Sequence, residues 1–163
     1  MKKLNVGLVG AGFMGKAHSI GYSDMPKYFW PAPAVPVLKT ICDIVPEIAA
    51  DAKERFGFEK CCTDWRDIVN DPEIDVVSIC TPNNVHAEIA IAALNAGKHV
   101  LCEKPIASNA SEFQQMYDTA IKNQVILLEA MRSVGVKRLL PRGGNAIFCR
   151  EAFCARFPTD RKS

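Results

Sequence analysis

Three glycines near the start of the chain make the first chemical statement. Gly10-Ala11-Gly12-Phe13-Met14-Gly15 is a complete G-x-G-x-x-G, preceded by an apolar run over residues 4–9 and followed by a helix-forming stretch. In that setting Gly10 permits a tight turn, and Gly12 lets the backbone approach a pyrophosphate with no Cβ in the way. Gly15 lets the helix pack close to the strand. N–H groups at the helix start then face the phosphate charge. Asp43 extends this reading. A carboxylate at the end of a second strand accepts hydrogen bonds from both hydroxyls of an adenosine ribose and repels a 2′-phosphate, which predicts NAD rather than NADP. Asp43 stands 33 residues beyond Gly10, more than the usual spacing of about 20, and a proline-aromatic insertion between them accounts for the excess. The same aspartate can alternatively cap a helix that begins at Pro46.

Two further groups follow apolar, strand-like runs: Thr81-Pro82-Asn83-Asn84-Val85-His86 and Glu103-Lys104-Pro105. Ligands of open α/β sheets bind at that carboxyl edge of the strands. His86 can line a nicotinamide pocket, or it can sit on a helix surface making one hydrogen bond. Glu103 and Lys104, taken alone, read more readily as a solvated ion pair than as acid-base groups.

The elements needed to bring these residues together can be read from periodicity. Strands are predicted over residues 4–9, 37–42, 59–62, 74–80, 98–102 and 125–129, and helices over 12–22, 46–56, 64–69, 83–95 and 108–122. Pro46 suits a first helical turn, Gly57 and Gly97 supply helix stops, and Asp64 supplies an N-cap; Ser108, Ser111 and Glu112 are alternative caps for the last helix. Pro26, Pro31, Pro33 and Pro36, interleaved with Tyr28, Phe29 and Trp30, predict a loop insertion after the first helix. Alternating strands and helices call for a parallel sheet covered on both faces. Right-handed crossovers then give an α/β Rossmann fold, a doubly wound sheet of order 3-2-1-4-5-6. Past residue 134 the pattern fails: Gly143-Gly144, six arginines from Arg132 onward, and Cys149 and Cys154 show no amphipathic period. The expected organisation is a dinucleotide-binding domain over residues 1–134 and an irregular basic C-terminal tail over 135–163.

Composition narrows the function classes. A chain of 163 residues holds one ordinary domain with a sizeable core, and no apolar run approaches the length of a membrane span. The basic start Met1-Lys2-Lys3 before an apolar stretch has the outline of a secretory leader, but the strand pattern and the glycines explain it better. The seven cysteines are odd in number and contain no C-x-x-C pair, so reduced core thiols in a cytoplasmic protein are expected, with neither a metal site nor disulfides. Residues 1–131 carry 12 basic and 16 acidic side chains, whereas residues 132–163 carry 8 and 2. A mildly acidic body argues against a nucleic-acid surface.

Three segments together resemble one family. The run from Gly7 through Gly10-Ala11-Gly12-Phe13-Met14-Gly15-Lys16-Ala17-His18, the Thr81-Pro82-Asn83 with His86, and Ala96-Gly97-Lys98-His99-Val100-Leu101-Cys102-Glu103-Lys104-Pro105 are similar to the Gfo/Idh/MocA oxidoreductases over roughly residues 3–134. The resemblance implies that Gly10, Gly12, Phe13, Met14 and Gly15 form the pyrophosphate loop and that Asp43 holds the adenosine ribose. It implies that Thr81, Pro82, Asn83 and His86 border the nicotinamide ribose, with Glu103 on the cofactor's ribose side. Lys104 would reach the cofactor and the reacting hydroxyl of a sugar or polyol, where an ammonium stabilises developing charge on oxygen.

The resemblance also implies a second, mostly antiparallel domain carrying an aspartate and a histidine that work with the lysine, and these residues have no room for it. The expectation is therefore a truncated dehydrogenase, weakly active or inactive alone, with oligomerisation possible. A non-catalytic NAD-binding regulatory module and a purely structural partner are the competing classes, which cofactor affinity and turnover separate.

Overall fold

A computed structural model describes residues 2–130; the basic tail, including Cys149 and Cys154, lies outside the described residues. The elements run β1 (Lys2–Val9), α1 (Phe13–Tyr28), β2 (Ala34–Cys42), α2 (Pro46–Phe56), β3 (Lys60–Cys62), α3 (Trp65–Asn70), β4 (Val76–Ile79), α4 (His86–Asn95), β5 (His99–Cys102), α5 (Ala110–Asn123) and β6 (Leu127–Glu129), with a 3-10 turn at Asn83–Val85 leading into α4. All strand pairs are parallel, and the sheet order is β3-β2-β1-β4-β5-β6, as expected for a Rossmann sheet.

Burial on both faces explains the near-continuous apolar strands. Successive residues of β1 point into different cores: Leu8 packs with Ile41, Ala52 and Phe58 on one side, while Val9 joins Val77, Ile79, Val100, Ile89, Leu94 and Met116 on the other. Each such aliphatic side chain removed from water contributes roughly 1.5 to 3 kcal/mol before entropy is counted. Among the described residues no helix is long and apolar enough to cross a membrane.

The structure corrects the reading of the proline-aromatic stretch. Helix α1 runs to Tyr28, not Tyr22, and contains Pro26. In the last turn that proline removes a single N–H donor, while Phe29 N–H still closes onto the Met25 carbonyl at 3.1 Å. Strand β2 begins at Ala34 and includes Pro36. This is tolerated because β3 pairs only with Thr40, Ile41 and Cys42, leaving β2 an edge strand at the proline. The insertion therefore lengthens a helix and a strand, and only a short connection at Phe29 to Pro33 remains irregular.

The N-cap of α5 is Asn109, not Ser108 or Ser111, and of the expected residues only Glu112 takes part. Asn109 Oδ1 accepts the Glu112 N–H at 2.9 Å, and Glu112 Oε2 accepts the Ser108 N–H at 2.9 Å, a reciprocal capping arrangement one residue from the predicted site. Asp64 caps α3 through the Arg66 N–H, and Gly57 ends α2 in the left-handed region, both as read.

Candidate functional site

The loop after β1 is stitched to both neighbouring strands. Gly10 N–H donates to the Cys42 carbonyl at 2.8 Å, and Cys80 N–H donates to the Val9 carbonyl at 2.8 Å. At Gly10, φ is +96° and a Cβ would lie 2.7 Å from the Cys80 carbonyl oxygen, so glycine is required on both counts. A Cβ at Gly15 would collide with the Gly10 carbonyl oxygen. Gly12 differs: a Cβ there meets no protein atom within 4 Å. Helix α1 starts at this open point with no side-chain cap and no acidic residue in its first turn, so its first N–H groups are left for an anion. Phe13 is 85% exposed beside it, with Met14 partly so.

Asp43 stands next to this cradle. Its Oδ2 accepts the Ala11 N–H at 2.9 Å, and its Oδ1 accepts the Val45 N–H at 3.1 Å. The helix-cap alternative does not hold, because the N-cap of α2 is Val45. A carboxylate offers about four lone-pair sites, so two are left for ribose hydroxyls.

On the other side of β1, the loops after β4 and β5 meet through His86. This ring is 1% exposed, with Nδ1 2.9 Å from the Pro105 carbonyl and Nε2 2.8 Å from the Thr81 carbonyl. It is a buried clamp between two loops, and the helix-surface reading with one hydrogen bond is wrong. Both ring nitrogens face carbonyl oxygens, and a neutral imidazole donates to one of the two. Thr81 Oγ1 is buried here without a partner among the described residues, the kind of orphan that a bound polar ligand satisfies.

Glu103 does not form a solvated pair with Lys104. Its carboxylate is buried, with Oε1 3.0 Å from His18 Nε2 and Oε2 accepting the Lys104 N–H at 3.1 Å. His18 Nδ1 lies 2.9 Å from Ser78 Oγ, on β4. The Lys104 side chain is exposed at the carboxyl edge, and its peptide bond to Pro105 is cis. Ile106 N–H, just beyond, donates to Glu129 Oε1 at 3.0 Å.

Behind this row lies the Tyr22 hydroxyl, buried near Ser78. Burial pushes its pKa from 10.0 up to about 12, with the Ser78 hydroxyl opposing the shift. Burial likewise pushes the Cys80 thiol from 9.0 up to about 12.

The sheet thus places every expected residue at one edge, after β1, β2, β4 and β5. It joins Asp43 to Ala11, His86 to Thr81 and Pro105, and Glu103 to the Lys104 backbone. The sequence reading gave no role to His18 or Ser78. One signal was available: His18 lies one helical turn after Gly15, so a polar ring was bound to face the sheet beside the buried Ser19.

A family model described as an oxidoreductase family with an NAD-binding Rossmann fold, Gfo/Idh/MocA, matches residues 4–131. Levoglucosan dehydrogenase of Pseudarthrobacter phenanthrenivorans is 59% identical over 127 residues, which cover 78% of this chain and 32% of that protein. Inositol 2-dehydrogenase of Salmonella typhimurium is 34% identical over 141 residues, covering 86% and 39%. A solved structure of levoglucosan dehydrogenase in complex with NADH and levoglucosan superposes with a TM-score of 0.76 at 55% identity, covering 78% of this chain and 34% of that one. The chain spans about a third of the length of the relatives it matches.

Proposed function

The chain belongs to the Gfo/Idh/MocA oxidoreductases, matching their NAD-binding Rossmann domain, and from that premise we propose that it binds NAD in preference to NADP and presents Lys104 to the hydroxyl of a sugar or polyol. Residues 1–134 form the cofactor domain in this reading. The observation that carries it is the pairing of an open cradle at Gly12 with a carboxylate, Asp43, fixed on the same loop through the Ala11 N–H.

Gly10, Gly12, Phe13, Met14 and Gly15 surround the pyrophosphate, and the first N–H groups of α1 meet its charge. Asp43 takes the adenosine ribose hydroxyls on its free lone pairs. Thr81, Pro82, Asn83 and His86 border the nicotinamide ribose, where the unpartnered Thr81 hydroxyl finds an acceptor or donor. Glu103 backs that side and holds the Lys104 backbone. NAD, when bound, supplies the hydride acceptor. The Lys104 ammonium stabilises negative charge on the substrate oxygen as its proton departs.

Asp43→Asn tests the reading better than removal of the side chain would. The single amide oxygen can still accept the Ala11 N–H, at the cost of the bond from the Val45 N–H, while the charge that repels a 2′-phosphate is gone. Calorimetry is expected to show NADP binding at least about tenfold weaker than NAD in the unmodified chain, a difference of about 1.4 kcal/mol. In Asp43→Asn the gap narrows. Equal affinity of the unmodified chain for both cofactors removes Asp43 from the site.

A further inference from the structure

We propose that His18 is a positioning residue for Lys104, acting through the Glu103 carboxylate; the inference rests on the reading of Lys104 as the group that meets substrate. Three bonds form an unbroken line: Ser78 Oγ to His18 Nδ1 at 2.9 Å, His18 Nε2 to Glu103 Oε1 at 3.0 Å, and Lys104 N–H to Glu103 Oε2 at 3.1 Å.

The chemistry of this line fixes its polarity. A carboxylate accepts, so Nε2 carries a proton and donates to Glu103; Nδ1 then accepts from the Ser78 hydroxyl. Every polar atom of the line is satisfied in that tautomer. The side chains of His18 and Glu103 are only 12% and 9% exposed, and a carboxylate so placed needs more than one donor to offset its desolvation. The Lys104 N–H is one donor. His18 supplies the other and fixes the carboxylate's rotation, which in turn fixes where the Lys104 backbone leaves β5.

The line also joins the two halves of the site. His18 sits three residues after Gly15 on α1, the helix whose start forms the cradle, and Glu103 sits at the end of β5. Cofactor held at α1 and the amine carried by Lys104 are thereby referred to one rigid contact. Among the described residues His18 is the one side chain that approaches the Glu103 carboxylate within ion-pair distance. The Tyr22 ring meets His18 edge-on at 6.4 Å between centroids, closing the remaining side of the imidazole.

The test uses the 163-residue chain and reads the Lys104 amide directly by hydrogen exchange, together with NADH affinity by fluorescence. His18→Leu keeps the packing volume but removes the donor. His18→Gln keeps an N–H near the place of Nε2. In His18→Leu the Lys104 amide exchanges about tenfold faster while the Val100 amide does not change, and His18→Gln returns it to within about threefold, as loss and recovery of one charge-assisted bond require. Nitrogen-15 spectra of the unmodified chain are expected to show His18 protonated at Nε2, and protonation at Nδ1 alone overturns the proposal. Unchanged Lys104 exchange in His18→Leu, or His18→Gln as impaired as His18→Leu, overturns the proposal.

Should His18→Leu fail to fold, Glu103→Gln carries the same decision. A carboxamide offers one acceptor oxygen to two donors, so either Lys104 exchange rises or the His18 tautomer switches. If neither changes, the proposal falls. An unmodified chain that binds no NADH overturns the cofactor reading instead, a result separable from the exchange data because those are taken without cofactor.

Discussion

The three glycines of the loop look equivalent in the sequence and are not equivalent in the structure. An added side chain at Gly10 or Gly15 strikes backbone, whereas one at Gly12 enters open space. Gly12→Val is therefore expected to leave the circular dichroism spectrum and thermal midpoint near those of the unmodified chain while lowering NADH affinity by more than about a hundredfold, some 2.7 kcal/mol. Gly10→Ala and Gly15→Ala should instead lower the thermal midpoint or abolish folding. Undiminished affinity in a folded Gly12→Val shows the loop to be only a turn. The roles of these residues were legible because a phosphate cradle needs glycine at fixed offsets. The partners of Glu103 were not: adjacent Glu103 and Lys104 suggest an ion pair, yet the carboxylate turns to a histidine 85 residues earlier in the chain. A contact across α1 and β5 leaves no local trace in the sequence.

The long elements were readable for the same physical reason throughout. Strands buried on two faces are largely apolar, and Asp64 marks the start of α3 as Gly57 marks the end of α2. Pro26 and Pro36 misled because a proline is costly only where its missing N–H would have had a partner, which depends on the last turn of a helix and the free edge of a strand. At the α1–β4 interface the same elements bury ionisable groups, and pH dependence follows. Tyr22 and Cys80 have folded-state pKa values of about 12, above their ordinary 10.0 and 9.0. Above pH 9 the unfolded chain releases these protons while the folded chain keeps them. The folded state then binds more protons, and stability falls as pH rises, with the contribution complete below that window. For Tyr22 alone the loss by pH 11 is on the order of 1 kcal/mol. Urea midpoints measured from pH 8 to pH 11 should therefore decline, and Tyr22→Phe should decline less steeply. Parallel slopes for the two chains refute a buried phenol at this interface.

At the scale of the whole molecule, binding and turnover separate. Hydride transfer to a bound nicotinamide needs a substrate held with its C–H against the ring and a base to take the hydroxyl proton. The chain has three histidines. His18 is committed to Glu103 and Ser78, and His86 to two carbonyls; His99 accepts the Ile126 N–H at 3.1 Å and starts β5, at the edge of the sheet opposite the site. Among the described residues no imidazole at this edge stands without a hydrogen-bond partner. The covered third of the relatives' length matches the part that holds cofactor. Assayed as it stands, the 163-residue chain is expected to bind NADH and to show no appreciable oxidation of inositols or aldoses with NAD. A general base contributes roughly 10² to 10⁴ in rate, and substrate positioning contributes more. Following absorbance of the reduced cofactor across that substrate set decides the matter. Robust turnover that vanishes in Lys104→Ala would disprove the need for further groups while establishing the lysine, because an amine that suffices alone must both hold the oxygen and relay its proton.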